Sequence, residues 1–149
     1  GERAFGTSPG EGCILATLRA AETGALKTIS KKAEETAEAV ADSFGLSCRI
    51  GWTDEFPVTE NADEAVDTVK SAAMNLNLKT IQPDAPFPWS EDFGHYTRKY
   101  PGALFGIGAG INTPSLHSPE YDFPDELIST GVDIFTEIAA VFLNRYIMK

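Results

Sequence analysis

His117 stands in the loop SLHSPEYDF, after an apolar run that ends in glycines and before a helix-forming stretch. Imidazole is the commonest protein ligand for borderline divalent metals, and loops between a strand and a helix are where α/β folds present ligand-binding side chains. A lone loop histidine without an HxH or HExxH partner reads first as solvated or structural, so spacing alone assigns it no metal. Glu91 and Asp92 follow Ser90. Adjacent acids there complement the positive end of a short helix, or they orient a metal ligand or substrate from just outside the site. Gly106, Gly108 and Gly110 form GxGxG, but Ile111, Asn112, Thr113 and Pro114 follow where a phosphate-binding turn needs a helix start. A tight turn and a close approach of substrate to bare backbone both account for these glycines. A serine hydrolase would need Ser118 or Ser90 with His95 or His117, and no GxSxG elbow is present. Trp89, Phe93, Tyr96 and Tyr100 could line a pocket, although aromatics around a short helix read first as core.

These residues need elements to hold them. The run CILATLR from Cys13 to Arg19 suits a strand, and Leu26, Ile29, Ala33, Ala37, Val40 and Phe44 recur at helical spacing behind it. Gly45 sits where a left-handed residue closes a helix, and LSCRIGW then alternates as a second strand. Strand, helix and strand read as half of a small two-layer α+β lobe. Pro57 to Asn61 marks a junction, and Asn61 with Glu64 has the spacing of a capping box for a helix running to about Asn75. Prolines at 83, 86 and 88 hold an extended loop until Ser90 can cap a short helix. ALFGIGAG reads as a buried strand. A long helix carrying Leu127, Ile128, Ile134, Phe135, Ile138, Ala139 and Phe142 closes the chain, with an apolar face broad enough to cover a sheet.

Composition narrows the function. The 149 residues hold 12 Lys plus Arg against 22 Asp plus Glu, a formal charge of -10, which opposes attraction to nucleic acid or to an anionic membrane. A hydrophobic share of 42%, with no run long enough to cross a bilayer, predicts a folded, soluble chain. No basic region followed by an apolar one opens it, so cytoplasm is the expected compartment. Cys13 and Cys48 lack zinc-site spacing and read as small buried hydrophobes.

PWSEDFGHYTRKYPGALFGIGAG followed by LHSPEYDFPDELISTGVDIFTEIA resembles the C-terminal end of M20 amidohydrolases, in the branch of bacterial N-acyl-amino-acid amidohydrolases and plant auxin-conjugate hydrolases. The motifs that carry the resemblance are SEDF at 90–93, PG at 101–102, the glycine turn, and LHSP at 116–119 with Phe123 and Glu126 behind it. Upstream, AFGTSPGEGCILATLRA is similar to the second half of the lid, or dimerisation, domain of that family. The resemblance implies an α/β fold: a ferredoxin-like α+β lid portion over 1–57, then the C-terminal portion of an α/β zinc-peptidase-like catalytic domain over 58–149. It implies that His117 is one ligand of a two-metal centre, zinc or manganese, that activates water against an amide carbon. Gly106, Gly108 and Gly110 would line the substrate cleft, with Ser90, Glu91 and Asp92 in a loop nearby. The other ligands, the general-base glutamate and the lid histidine that steadies the oxyanion lie, in such proteins, N-terminal to the part matched here. The parent protein is then expected to hydrolyse an amide bond in an N-acyl amino acid or small peptide, and this chain alone to be inactive. The sequence departs from the pattern at Gly6, Thr7, Ser8 and Pro9, where the family's lid commonly carries asparagine followed by Val-Ile-Pro. The rival expectation is a non-catalytic binding or dimerisation module, pairing edge to edge as a homodimer.

Overall fold

The computed structural model describes residues 5–6, 9–88 and 91–147. Among these the chain forms four helices: α1 (Thr23–Ser43), α2 (Asp63–Asn75), α3 (Gly94–Thr97) and α4 (Glu126–Tyr146). It divides into two compact units, Gly1–Gly51 and Trp52–Lys149.

The expected α/β architecture is corrected on this point. No described residue belongs to a strand, so neither a ferredoxin-like α+β lobe nor an α/β sheet is formed. Alternating apolar residues predict which face of an extended segment can be buried, but a strand exists only when a neighbour supplies the ladder of hydrogen bonds. In the first unit the two segments read as strands lie on either side of α1 outside any sheet, with Ile14 95% and Leu15 91% exposed. Cys13 and Cys48, expected to be buried, are exposed free thiols.

α1 forms where helical periodicity placed it, but its apolar stripe buries none of its residues. An ion pair along it, Lys31 Nζ to Glu35 Oε1 at 3.6 Å, is exposed and lies in the weaker i,i+4 orientation. The end of the helix is well specified. Gly45 takes φ +66°, its N–H donates to Asp42 O at 3.0 Å, and Leu46 N–H donates to Ala41 O at 2.9 Å, which is the paired bonding of a Schellman cap. Asn77 closes α2 in the same way at φ +55°, with Leu78 N–H donating to Ala73 O at 2.8 Å and Asn77 N–H to Met74 O at 3.0 Å. Asparagine is among the few residues with a side chain that tolerate this backbone region.

The second unit is built on α2 and α4. Asn75 Nδ2 donates to Glu137 Oε1 at 2.7 Å, and Arg145 Nη1 donates to Thr68 Oγ1 at 3.4 Å. Rising numbers on one helix meet falling numbers on the other, so the two run antiparallel. Ala72 and Ala73 let the helices approach, and Ile134 fills the seam. Leu76, Phe105, Ile107, Ile138 and Val141 pack around this core. Thr68, buried and polar, also donates to Glu64 O at 2.8 Å, so its hydroxyl has partners on both sides. Glu126 in the first turn of α4 and Arg145 in its last complement the helix dipole. The outer face of α4 is open, with Phe135 61% exposed although its ring lies 5.6 Å from that of Phe105.

Three further expectations are adjusted. α2 starts at Asp63 with Ala62 as its N-cap, and Asn61 directs its side chain elsewhere. The run 103–110 belongs to no strand, and along it half-buried residues give way to alternation with exposed ones, so it is not a buried strand. Around α3, Tyr96 and Tyr100 are 59% and 68% exposed, so they are not core, although the rings of Phe93 and Tyr96 lie 5.9 Å apart. α3 begins on Gly94, which is buried against the backbone of Pro57. A Cβ there would strike the Pro57 carbonyl oxygen and come within 3.0 Å of its carbon, and backbone cannot rotate aside. Gly94→Ala is therefore expected to cost about 1–3 kcal/mol by overpacking, read as a lower urea midpoint with an unchanged slope.

Candidate functional site

The loop that carries His117 is assembled from consecutive turns. Thr113 Oγ1 donates to Ala109 O at 2.6 Å, tying the loop back to the end of the glycine run. Ser118 N–H donates to Ser115 O at 2.9 Å, closing a four-residue turn with His117 in its third position. Tyr121 N–H then donates to Ser118 O at 3.0 Å, closing a second turn in which Pro119 holds the position it favours. The Ser118 hydroxyl accepts from Glu120 N–H at 3.3 Å within that turn. His117 itself takes φ +70°. A third turn residue at positive φ is ordinarily glycine or asparagine, and a larger side chain there costs on the order of 1 kcal/mol. The loop thus bears strain that glycine would relieve, and in exchange an imidazole stands on the surface. Strain of this kind concentrates where a side chain is needed for its chemistry.

The glycine run reaches this loop from the core. Exposure alternates along it: Phe105, Ile107 and Ala109 are half-buried while Gly106, Gly108 and Gly110 are exposed. Phe105 and Ile107 pack on the α2–α4 core, so the glycines present backbone outward. A Cβ on Gly108 would meet nothing within 4 Å, and one on Gly106 would first meet Phe87 Cζ at 3.6 Å. Only Gly110 needs glycine for its own conformation, at φ +95°. Among the described residues, space is open beside Gly108, where a bound molecule could lie directly on the main chain.

Glu91 and Asp92 are exposed just before α3, where the Asp92 carbonyl accepts from His95 N–H at 2.9 Å. Ser90 and Trp89 lie outside the described residues. Among the described residues no ion pair joins His117 to either acid, and no group of three His, Cys, Asp or Glu side chains could hold a metal ion. The donor set present here does not by itself fit a metal; His117 would be a single ligand.

A shallow depression of about 410 Å³ lies nearby, with Glu120, Asp122, Asp125 and Glu126 among its lining. None of the predicted site residues lines it, and four carboxylates would repel an anionic substrate. The exposed surface formed by the glycine run and the His117 turn is the better candidate. Asn61, read from the sequence as a capping-box residue, has a different partner just ahead of the glycine run. Asn61 Nδ2 donates to Leu104 O at 3.0 Å while Leu104 N–H donates to Asn61 Oδ1 at 2.8 Å, across 43 positions. No local pattern announces a partner that distant.

No described helix is long and apolar enough to cross a membrane. The model of peptidase family M20/M25/M40 matches residues 5–141. An uncharacterized hydrolase of Staphylococcus epidermidis is 23% identical over 140 residues, covering 91% of this chain and 37% of that protein. An uncharacterized hydrolase of Staphylococcus aureus is 22% identical over 148 residues, covering 96% and 38%. One from Staphylococcus saprophyticus is 22% identical over 139 residues, covering 91% and 36%. The chain thus spans little more than a third of the length of these relatives. No solved structure matches it.

Proposed function

The chain belongs to peptidase family M20/M25/M40, and on that premise we propose that the whole protein is a metal-dependent hydrolase of the amide bond in an N-acyl amino acid or small peptide. The observation that carries this reading is the family match across residues 5–141, which includes His117 and the glycine run. The names of the Staphylococcus relatives support hydrolysis as the reaction class. The narrower placement, among N-acyl-amino-acid and auxin-conjugate hydrolases, rests on the SEDF and LHSP motifs. A pair of zinc or manganese ions would supply Lewis acidity and a water made acidic enough to react near neutral pH.

The residues of this chain have positional roles in that reading. His117, exposed on its positive-φ turn, would supply one imidazole nitrogen to the metal centre. Gly106, Gly108 and Gly110 would form the wall of the cleft on which the substrate lies, where exposed main chain suits the polar backbone of an acylated amino acid or peptide. Glu91 and Asp92 border the site. In this reading the family's lid portion would correspond to residues 1–57 and the catalytic portion to 58–149, although the compact units divide between Gly51 and Trp52, and the lid portion would be the part through which two copies associate. Since one histidine cannot hold two metals that each need about four ligands, this chain in isolation is expected to be inactive.

The test is made on the whole protein, with N-acetyl amino acids and dipeptides as substrates and metal content measured by mass spectrometry. About two metal ions per chain are expected, with turnover abolished by a chelator and restored by added zinc or manganese. No turnover and no bound metal, even after zinc or manganese is supplied, would sink the reading and leave a non-catalytic binding or dimerisation module.

A further inference from the structure

We propose that Asn61 is a positioning residue that sets the place of the glycine run at 106–110 through the backbone of Leu104. The inference rests on the reading of that run as a wall of the substrate cleft. The two bonds between Asn61 and Leu104, at 3.0 and 2.8 Å, occupy both the main-chain acceptor and the main-chain donor of Leu104. One carboxamide thereby supplies the pair of groups that a neighbouring strand would otherwise offer. The next residue adds a second tie, Ala62 N–H donating to Gly102 O at 2.9 Å. Residues 102 to 104 are therefore pinned to the entrance of α2 immediately before the glycines begin. On the far side Phe105 and Ile107 are pinned to the core by packing.

The geometry leaves Asn61 no competing duty. The N-cap of α2 is Ala62, so Asn61 does not cap that helix. Asn61 is exposed, and hydrogen bonds exchanged with water add little to global stability. A side chain that is cheap to lose thermodynamically, yet specific for both groups of a distant residue, acts on placement. Alanine removes both bonds. Aspartate keeps the acceptor for Leu104 N–H but sets a carboxylate oxygen against Leu104 O.

Wild type, Asn61→Ala and Asn61→Asp are compared in the whole protein by steady-state kinetics on an N-acetyl amino acid, thermal unfolding, and amide exchange resolved to segments. Asn61→Ala is expected to lower kcat/KM by on the order of tenfold to a hundredfold, since small misplacements of a site carry costs of that size. Exchange over 102–110 should quicken while that of α4 stays unchanged and the unfolding temperature falls only slightly. Asn61→Asp, with one bond restored, should fall between the two. Wild-type kinetics in Asn61→Ala with faster exchange at 102–110 overturns the positioning role. Unchanged exchange overturns the clamp itself. A wild-type protein that turns over no amide overturns the hydrolase reading instead, and is told apart because the exchange signature does not depend on turnover.

Discussion

Replacing His117 by glycine in the whole protein is expected to leave the fold intact and to lower kcat/KM far more than a hundredfold, with a parallel loss of bound metal. The magnitude follows from comparison. Removing a group that merely orients a metal-bound histidine already costs about 10–100-fold in affinity or activity, so removing the ligand itself costs more. Glycine is the informative substitution because His117 sits at φ +70°, where glycine is unstrained. His117→Gly relaxes the turn closed between Ser115 and Ser118 while deleting the imidazole, so lost activity cannot be assigned to a broken loop. His117→Asn, which also tolerates this backbone region, provides a second variant with the turn preserved. Metal content, kcat/KM and the unfolding temperature are measured together. Activity within about threefold of wild type in His117→Gly would remove His117 from the metal centre, because no ligand is that dispensable.

The second large effect is on stability. Ile134→Ala is expected to cost about 2–4 kcal/mol, the range for removing a buried isoleucine side chain and leaving part of its volume empty. Ile134 is only 3% exposed, and it faces Ala72 and Ala73 across the seam. Those two methyl groups cannot extend into the space, so collapse of the cavity is limited. Amide exchange in α2 and α4 is the measurement, since it reports the local free energy even where other parts of a larger protein unfold separately. Protection should fall by about a factor of ten for each 1.4 kcal/mol in both helices. A loss under 1 kcal/mol would mean that the α2–α4 seam is not the organising core of the second unit. Because Phe105 and Ile107 rest on this seam on either side of Gly106, the same variant is also expected to quicken exchange in the glycine run.

Local chemistry was legible along the chain wherever the cause of a structure lies within a few residues. The apolar spacing from Leu26 to Phe44 placed α1, and a glycine at 45 announced the cap that closes it, because only the backbone within one turn decides whether a helix stops. The C-terminal helix was equally legible from its apolar period. Asn77 performs the same capping at the end of α2 and was not singled out, although asparagine after a helical run is the second-best signal for it. His117 was singled out as a candidate through the family resemblance. Its positive φ was not, since backbone geometry at one turn position depends on how Ser115 to Tyr121 fold together.

What lay beyond the sequence is the set of properties that depend on a partner distant in the chain. The runs at 13–19, 46–52 and 103–110 have the alternation of strands, yet alternation describes one segment, and a ladder requires two. Asn61 was read as the start of a capping box because Glu64 lies three residues on, but its carboxamide is spent on Leu104. The outward direction of Gly106 and Gly108 was likewise settled by packing of Phe105 and Ile107 onto Ala72, Ala73 and Ile134. Sequence by itself determined the long helices, the glycine that closes α1, the family and the candidate histidine, because those follow from neighbouring residues or from motifs read in order. Only the tertiary structure decided which side chains face the core, which are left exposed and which tie distant segments together, because these depend on contacts between residues far apart in sequence.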